Sequence, residues 1–204
     1  MNVGVLASGT GTNLQALIDR AHGREGVVLR GVASDRPQAR ALDRARAAGI
    51  DVEAFPRKRF ADDRGARDGA MAAWLGERDV ELVVLAGYMQ LLSLDFLAAF
   101  PDRVINVHPS LLPAFPGLHA VQQALDYGVK VLGASVFFVD SGVDTGPLIL
   151  QRAIELSDDA TDAEAILDRL HPIEHDLLVE AALLIARGAV GFDPANPRRV
   201  RISR

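Results

Sequence analysis

The sequence predicts a single α/β domain over residues 1–204: a doubly wound, Rossmann-like, mostly parallel sheet with helices on both faces, completed by a C-terminal β-hairpin and helix. Three observations lead there. Short apolar runs alternate with stretches of helical periodicity through the first half, the pattern of βαβ units with right-handed crossovers. Leu82 to Ala86 is continuously apolar, as a strand buried on both faces requires. In the second half two longer strand-like runs flank a turn-rich segment, and a long helical stretch follows.

Taken in order, Asn2 to Ala7 is a strand that enters Ser8-Gly9-Thr10-Gly11-Thr12-Asn13, after which Leu14, Leu17 and Ile18 recur at helical spacing. Val27 to Ala33 reads as the second strand, Ala39 to Ala48 as a helix stopped at Gly49, and Val52 to Phe55 as the third strand. A helix from about Arg64 to Arg78 precedes the Leu82 strand, and Val104 to Val107 is the fifth. Val131 to Val139 and Leu148 to Ile154 form two strands joined by a long loop, Asp140 to Pro147. From Thr161 to about Arg187 the pattern is helical with Pro172 interrupting it, and the tail from Gly188 to Arg204 is irregular or a short strand. The domain divides into a nucleotide-binding-like half over about 1–108 and a C-terminal half over 109–204.

Composition narrows the function. Hydrophobic residues at 49% and charged residues at 24% match a globular chain and exclude disorder. A net charge of −5 argues against a nucleic-acid footprint, which needs clustered Lys and Arg, so any anion must be met locally. The absence of cysteine removes disulfides, thiolate metal sites and cysteine nucleophiles. There is no basic leader before the first apolar run and no apolar stretch near the ~20 residues of a membrane span, so a cytoplasmic protein is expected.

Four features carry chemistry. The loop Gly9 to Asn13 leaves a strand and opens a helix, where backbone N–H groups and the positive helix end can hold a phosphate. A dinucleotide fingerprint would want a third glycine where Leu14 stands and an acid ending the second strand, for which Asp35 is the nearest candidate; a plain tight turn is the remaining reading. Asn106 and His108 lie two apart at the end of the fifth strand, on one side of it, so a carboxamide donor and an imidazole converge at the ligand edge. A strand-end histidine capping a turn before the prolines is the alternative. Asp144, in the Gly-rich loop, can pair with His108 and favour its charged form, or can be a turn aspartate for local reasons. His171-Pro172-Ile173-Glu174-His175 matches an H-x-x-E-H zinc pattern, rejected because Pro172 disturbs the helical turn between the ligands; no metal is expected. Leu91, Leu92 and Leu94 read as core or pocket wall.

These residues resemble the glycinamide ribonucleotide formyltransferase family from Met1 to about Ala186. The matching stretches, in order and spacing, are Ser8 to Ala16, Leu85-Ala86-Gly87-Tyr88-Met89, Asn106-Val107-His108-Pro109-Ser110-Leu111-Leu112-Pro113, Pro116-Gly117-Leu118-His119 and Asp144-Thr145-Gly146-Pro147. The resemblance implies the formyltransferase fold and transfer of a formyl group from 10-formyltetrahydrofolate, the co-substrate, to the amine of phosphoribosylglycinamide in purine synthesis. It carries the catalytic role onto Asn106, His108 and Asp144. The amine substrate falls on Gly11, Thr12 and Asn13 for its phosphate and on His171, Pro172, Ile173 and Glu174 for its ribose. Folate falls on Arg64, Met89, Gln90, Leu91, Leu92, Asn106 and the loop Asp140, Ser141, Gly142, Val143 and Asp144. Gln90 departs from the arginine of many relatives, and Thr10 and Thr12 vary the phosphate turn. The partners implied are small molecules, without nucleic acid or membrane, for a monomer or weak homodimer. A formyltetrahydrofolate deformylase and a transfer-RNA formyltransferase are the rival enzymes, each expected to carry a further domain; a non-catalytic nucleotide-binding module would leave the trio without a reason to coexist.

Overall fold

In the computed structural model, which describes residues 1–203, the chain falls into two units, Met1–Asn106 and Val107–Arg204. The first is wound from strands β1 (Asn2–Leu6), β2 (Val28–Ser34), β3 (Asp51–Ala54), β4 (Leu82–Leu85) and β5 (Val104–His108), the last of which runs past the division. They pair in the order β3-β2-β1-β4-β5, every pair parallel. The four residues of β4 are all buried, which is why that run shows no polar alternation. Helices α1 (Thr12–Arg20), α2 (Arg40–Ala47), α3 (Arg64–Gly76) and α4 (Leu94–Ala99) make the crossovers, with a 3-10 turn at Arg57–Phe60. Strand order reverses between β1 and β4, so the loops leaving their C-terminal ends diverge and open a crevice there.

The second unit holds α5 (Ala120–Tyr127), β6 (Val131–Phe138), β7 (Leu148–Glu155), α6 (Ala163–Ala186), β8 (Val190–Asp193) and β9 (Asn196–Ile202). β6 and β7 form an antiparallel hairpin registered from Val131 opposite Glu155 to Phe137 opposite Leu148. Val121 and Ala124 of α5, Leu132 of β6 and Ile166 and Leu170 of α6 share one buried cluster. β9 lies parallel to β7 at Leu148 and Arg199, and β8 pairs antiparallel with β9.

Three expectations need correction. α6 is one helix of 24 residues that passes through Pro172 without a break. Pro172 sits on the exposed side and so does Asp168, whose carbonyl is the one deprived of an amide partner; water can satisfy it where a buried carbonyl would be stranded. The tail, expected to be irregular or a short strand, is two strands in a hairpin: Asp193 accepts from the Ala195 amide across the Pro194 turn, and Val200 and Ile202 alternate with Arg199 and Arg201. Of the two readings of Leu91 and Leu94, core or pocket wall, the core one fails, because both are exposed. Among the described residues no helix is long and apolar enough to cross a membrane.

Candidate active site

His108 closes β5, two residues after Asn106, and is buried with only 6% of the residue exposed. The chain then turns sharply, held by a knot of polar side chains. Ser135 on β6 donates to the Ser110 carbonyl and accepts from the Leu112 amide, while Gln151 on β7 donates to the Leu112 carbonyl. The turn returns the Phe115 carbonyl to His108 Nε2 at 2.8 Å. On the other side Asp144 Oδ2 stands 3.3 Å from Nδ1 and accepts from the Gly117 amide at 2.8 Å.

Asp144 takes a left-handed backbone, φ 52°, in the loop between β6 and β7. Asp140 Oδ1 ties the loop by accepting from the Gly142 amide and the Thr145 hydroxyl, and Arg198 of β9 donates to the Thr145 carbonyl. Gly146 follows where any Cβ would strike the Phe138 carbonyl, so the loop closes only with glycine there. Ser141, Gly142 and Val143 are exposed beside the half-buried Asp144.

In the first unit, the β1–α1 loop places Gly11 at φ 75° just before Thr12. A Cβ on Gly11 would lie 2.7 Å from the Ala41 Cα, so α2 approaches too closely for another residue. No side chain caps α1 and no acid stands in its first turn, leaving the helix start electropositive. Arg44 of α2 fixes the loop by donating to the Thr10 carbonyl at 2.8 Å. Thr12 is exposed and Asn13 buried. Asp35, weighed from sequence as a ribose acid, instead accepts from Ser8 Oγ at 2.6 Å, and the same Oγ accepts from the Met89 amide at 2.9 Å. The loops after β1 and β4 are thereby joined.

That second loop carries Met89 and Leu91, each 57% exposed, with Gln90 and Leu92 half-buried. Behind it lie the buried Arg67 and Asp68 of α3. Burial pushes the Tyr88 hydroxyl well above its ordinary range, against the opposing pull of Arg67, so it stays neutral. Arg64 is exposed at the first position of α3. In the second unit, Glu174 is buried on α6 while His171 and Ile173 are half-buried and Pro172 exposed; His171 Nδ1 is 3.8 Å from Asp168. Among the described residues no group of three His, Cys, Asp or Glu is gathered as a metal would need.

The structure thus pairs His108 with Asp144 and joins the two loops of the first unit. Sequence reasoning missed the Phe115 carbonyl and the Gly117 amide, backbone groups that no side-chain pattern announces, and Arg67 and Asp68, which lie in a stretch read only as helix.

Comparison with known proteins agrees along the chain. Residues 1–182 match the family described as formyl transferase. A phosphoribosylglycinamide formyltransferase of Bacillus subtilis is 43% identical over 172 residues, 84% of this chain and 87% of the relative. The enzyme of that name from Mycobacterium tuberculosis is 43% identical over 188 residues, covering 91% of this chain and 85% of its own length. Among solved structures, glycinamide ribonucleotide transformylase 1 from Symbiobacterium toebii superposes with a TM-score of 0.93 at 46% identity, over 100% of this chain and 94% of that one.

Proposed function

The chain belongs to the formyl transferase family, and from that premise we propose that it transfers the formyl group of 10-formyltetrahydrofolate to the amine of 5'-phosphoribosylglycinamide, giving formyl-phosphoribosylglycinamide and tetrahydrofolate in purine biosynthesis. The relatives' activity supports the reaction. The observation that carries it on this chain is the His108–Asp144 pair at 3.3 Å, with Asn106 two residues before on the same strand.

The neutral amine attacks the formyl carbon, a C–N bond forms, and the formyl oxygen takes the negative charge of a tetrahedral intermediate. Asn106 Nδ2 and a His108 N–H donate to that oxygen, the kind of contact worth roughly 3–4 kcal/mol per donor. Asp144 keeps the ring oriented and takes part, through water, in moving the amine's proton to the folate nitrogen as the old C–N bond breaks. No covalent enzyme intermediate is needed.

The amine's phosphate sits on Gly11, Thr12 and Asn13, where the uncapped helix start supports an anion, and its ribose meets the 171–174 turn of α6. Folate is bound by Arg64, by Met89 to Leu92, whose outward apolar side chains suit a flat heteroaromatic ring, and by the 140–144 loop. The test is absorbance of the folate with and without phosphoribosylglycinamide. Conversion that requires the amine is expected; conversion without it, or none with it, overturns the reading.

A further inference from the structure

Helix α3 buries a stripe at Asp68, Met71 and Leu75, the i, i+3, i+7 spacing of a core face, with Arg67 beside its first position. An ion pair therefore stands where the pattern calls for an apolar residue. Arg67 is 2% and Asp68 0% exposed. The guanidinium grips one carboxylate oxygen, Nε at 2.8 Å and Nη2 at 2.7 Å to Asp68 Oδ1. A buried ion pair gives up so much hydration that an apolar pair of equal volume often serves stability as well or better. Stability is then a poor reason for these charges, and their other contacts supply a better one.

The second oxygen, Asp68 Oδ2, accepts from the Ser93 amide at 2.6 Å, and Arg67 Nη2 makes a longer, 3.4 Å, contact to the Leu91 carbonyl. At the other end of the same segment the Met89 amide donates to Ser8 Oγ, itself fixed by Asp35. Segment 89–93 is thus fastened at start, middle and end by buried polar side chains. An ordinary surface loop has the reverse character, with polar side chains outward and few tertiary bonds beneath. Here Met89 and Leu91 face outward on a backbone that is locked from below.

We propose that the buried Arg67–Asp68 pair is a positioning device for the folate-binding segment, holding the backbone of 89–93 in its binding shape before the ligand arrives. Neither residue touches substrate. The pair contributes by lowering the ordering cost of binding, the general benefit of preorganisation. Asp68 sets the end of the segment at Ser93, which in turn caps α4 by accepting from the Phe96 amide. The inference rests on the reading of 89–92 as a folate contact.

The test is the double variant Arg67→Met/Asp68→Asn, which removes both charges together and so strands neither. Circular dichroism should report a folded protein. Amide hydrogen exchange in the ligand-free variant should quicken about tenfold or more over 89–93 and stay as in the parent over β1 and β4. In steady-state kinetics KM for 10-formyltetrahydrofolate should rise about tenfold, with KM for phosphoribosylglycinamide and kcat at saturating folate within about threefold of the parent. If the double variant does not fold, Arg67→Lys, which keeps the charge without the fork, is read the same way and should show the same changes to a lesser degree. A folded variant with unchanged exchange over 89–93 overturns the positioning role. Faster exchange with an unchanged folate KM overturns the link to folate, while a parent enzyme without formyl transfer overturns the assigned function and leaves the exchange result standing.

Discussion

At the level of single residues, the imidazole of His108 is held between a carbonyl and a carboxylate, so its position is over-determined before any substrate binds. Replacing Asn106 or His108 by Ala should lower kcat by roughly a hundredfold or more with KM for either substrate changed little, as for contacts that strengthen in the transition state. An equal loss in KM would mean that they bind the ground state instead. Gly11→Ala forces an L side chain into φ 75° and against Ala41, a cost of at least about 1–2 kcal/mol that should drop Tm by several degrees and weaken binding of the phosphorylated amine. Thermal melts and a titration with phosphoribosylglycinamide check both parts. The placement of Asn106 and His108 at the end of β5, and of Gly11 in the turn before α1, was legible because an apolar run closing on polar residues and a glycine between strand and helix are local patterns. Asp144 could not be told from a turn aspartate by its neighbours, since what distinguishes it is a 3.3 Å contact to a residue 36 positions away.

Among the elements, the strands of the first unit were readable to within a residue or two because parallel strands buried on both faces leave unbroken apolar runs. The short helices α4 and α5, of six and eight residues, escaped. The tail reads from sequence as irregular chain or a short strand because Arg198, Arg199 and Arg201 give it the composition of a solvated segment, and pairing with β7 and β8 is what makes β9 a strand. Pro172 misled in the other direction. Its side of α6 is exposed, so the helix tolerates the missing bond, yet the proline still carries a propensity penalty of order 3 kcal/mol relative to Ala. Pro172→Ala should therefore raise Tm by a few degrees in calorimetry; an unchanged or lower Tm would show that the packing around Ile173 and Glu174 favours proline there.

For the whole protein, the formyl-transfer reading needs no metal, and the H-x-x-E-H stretch has its members spread between a buried Glu174 and a partly exposed His171. Prolonged treatment with a chelator should leave the rate unchanged; loss of activity restored by zinc would overturn the mechanism. The family match ends at residue 182, and what lies beyond it is chiefly the β8–β9 hairpin. That hairpin meets the start of β7's outer edge, pairing Arg199 with Leu148, where backbone groups would otherwise stand open to another chain. In its place the protein shows solvent a strand of only four residues, beside one studded with arginines that repel their like. The tail covers that end of the edge as well as bracing the Thr145 loop, and a chain ending at Arg187 should scatter light on warming at concentrations where the full-length protein stays clear.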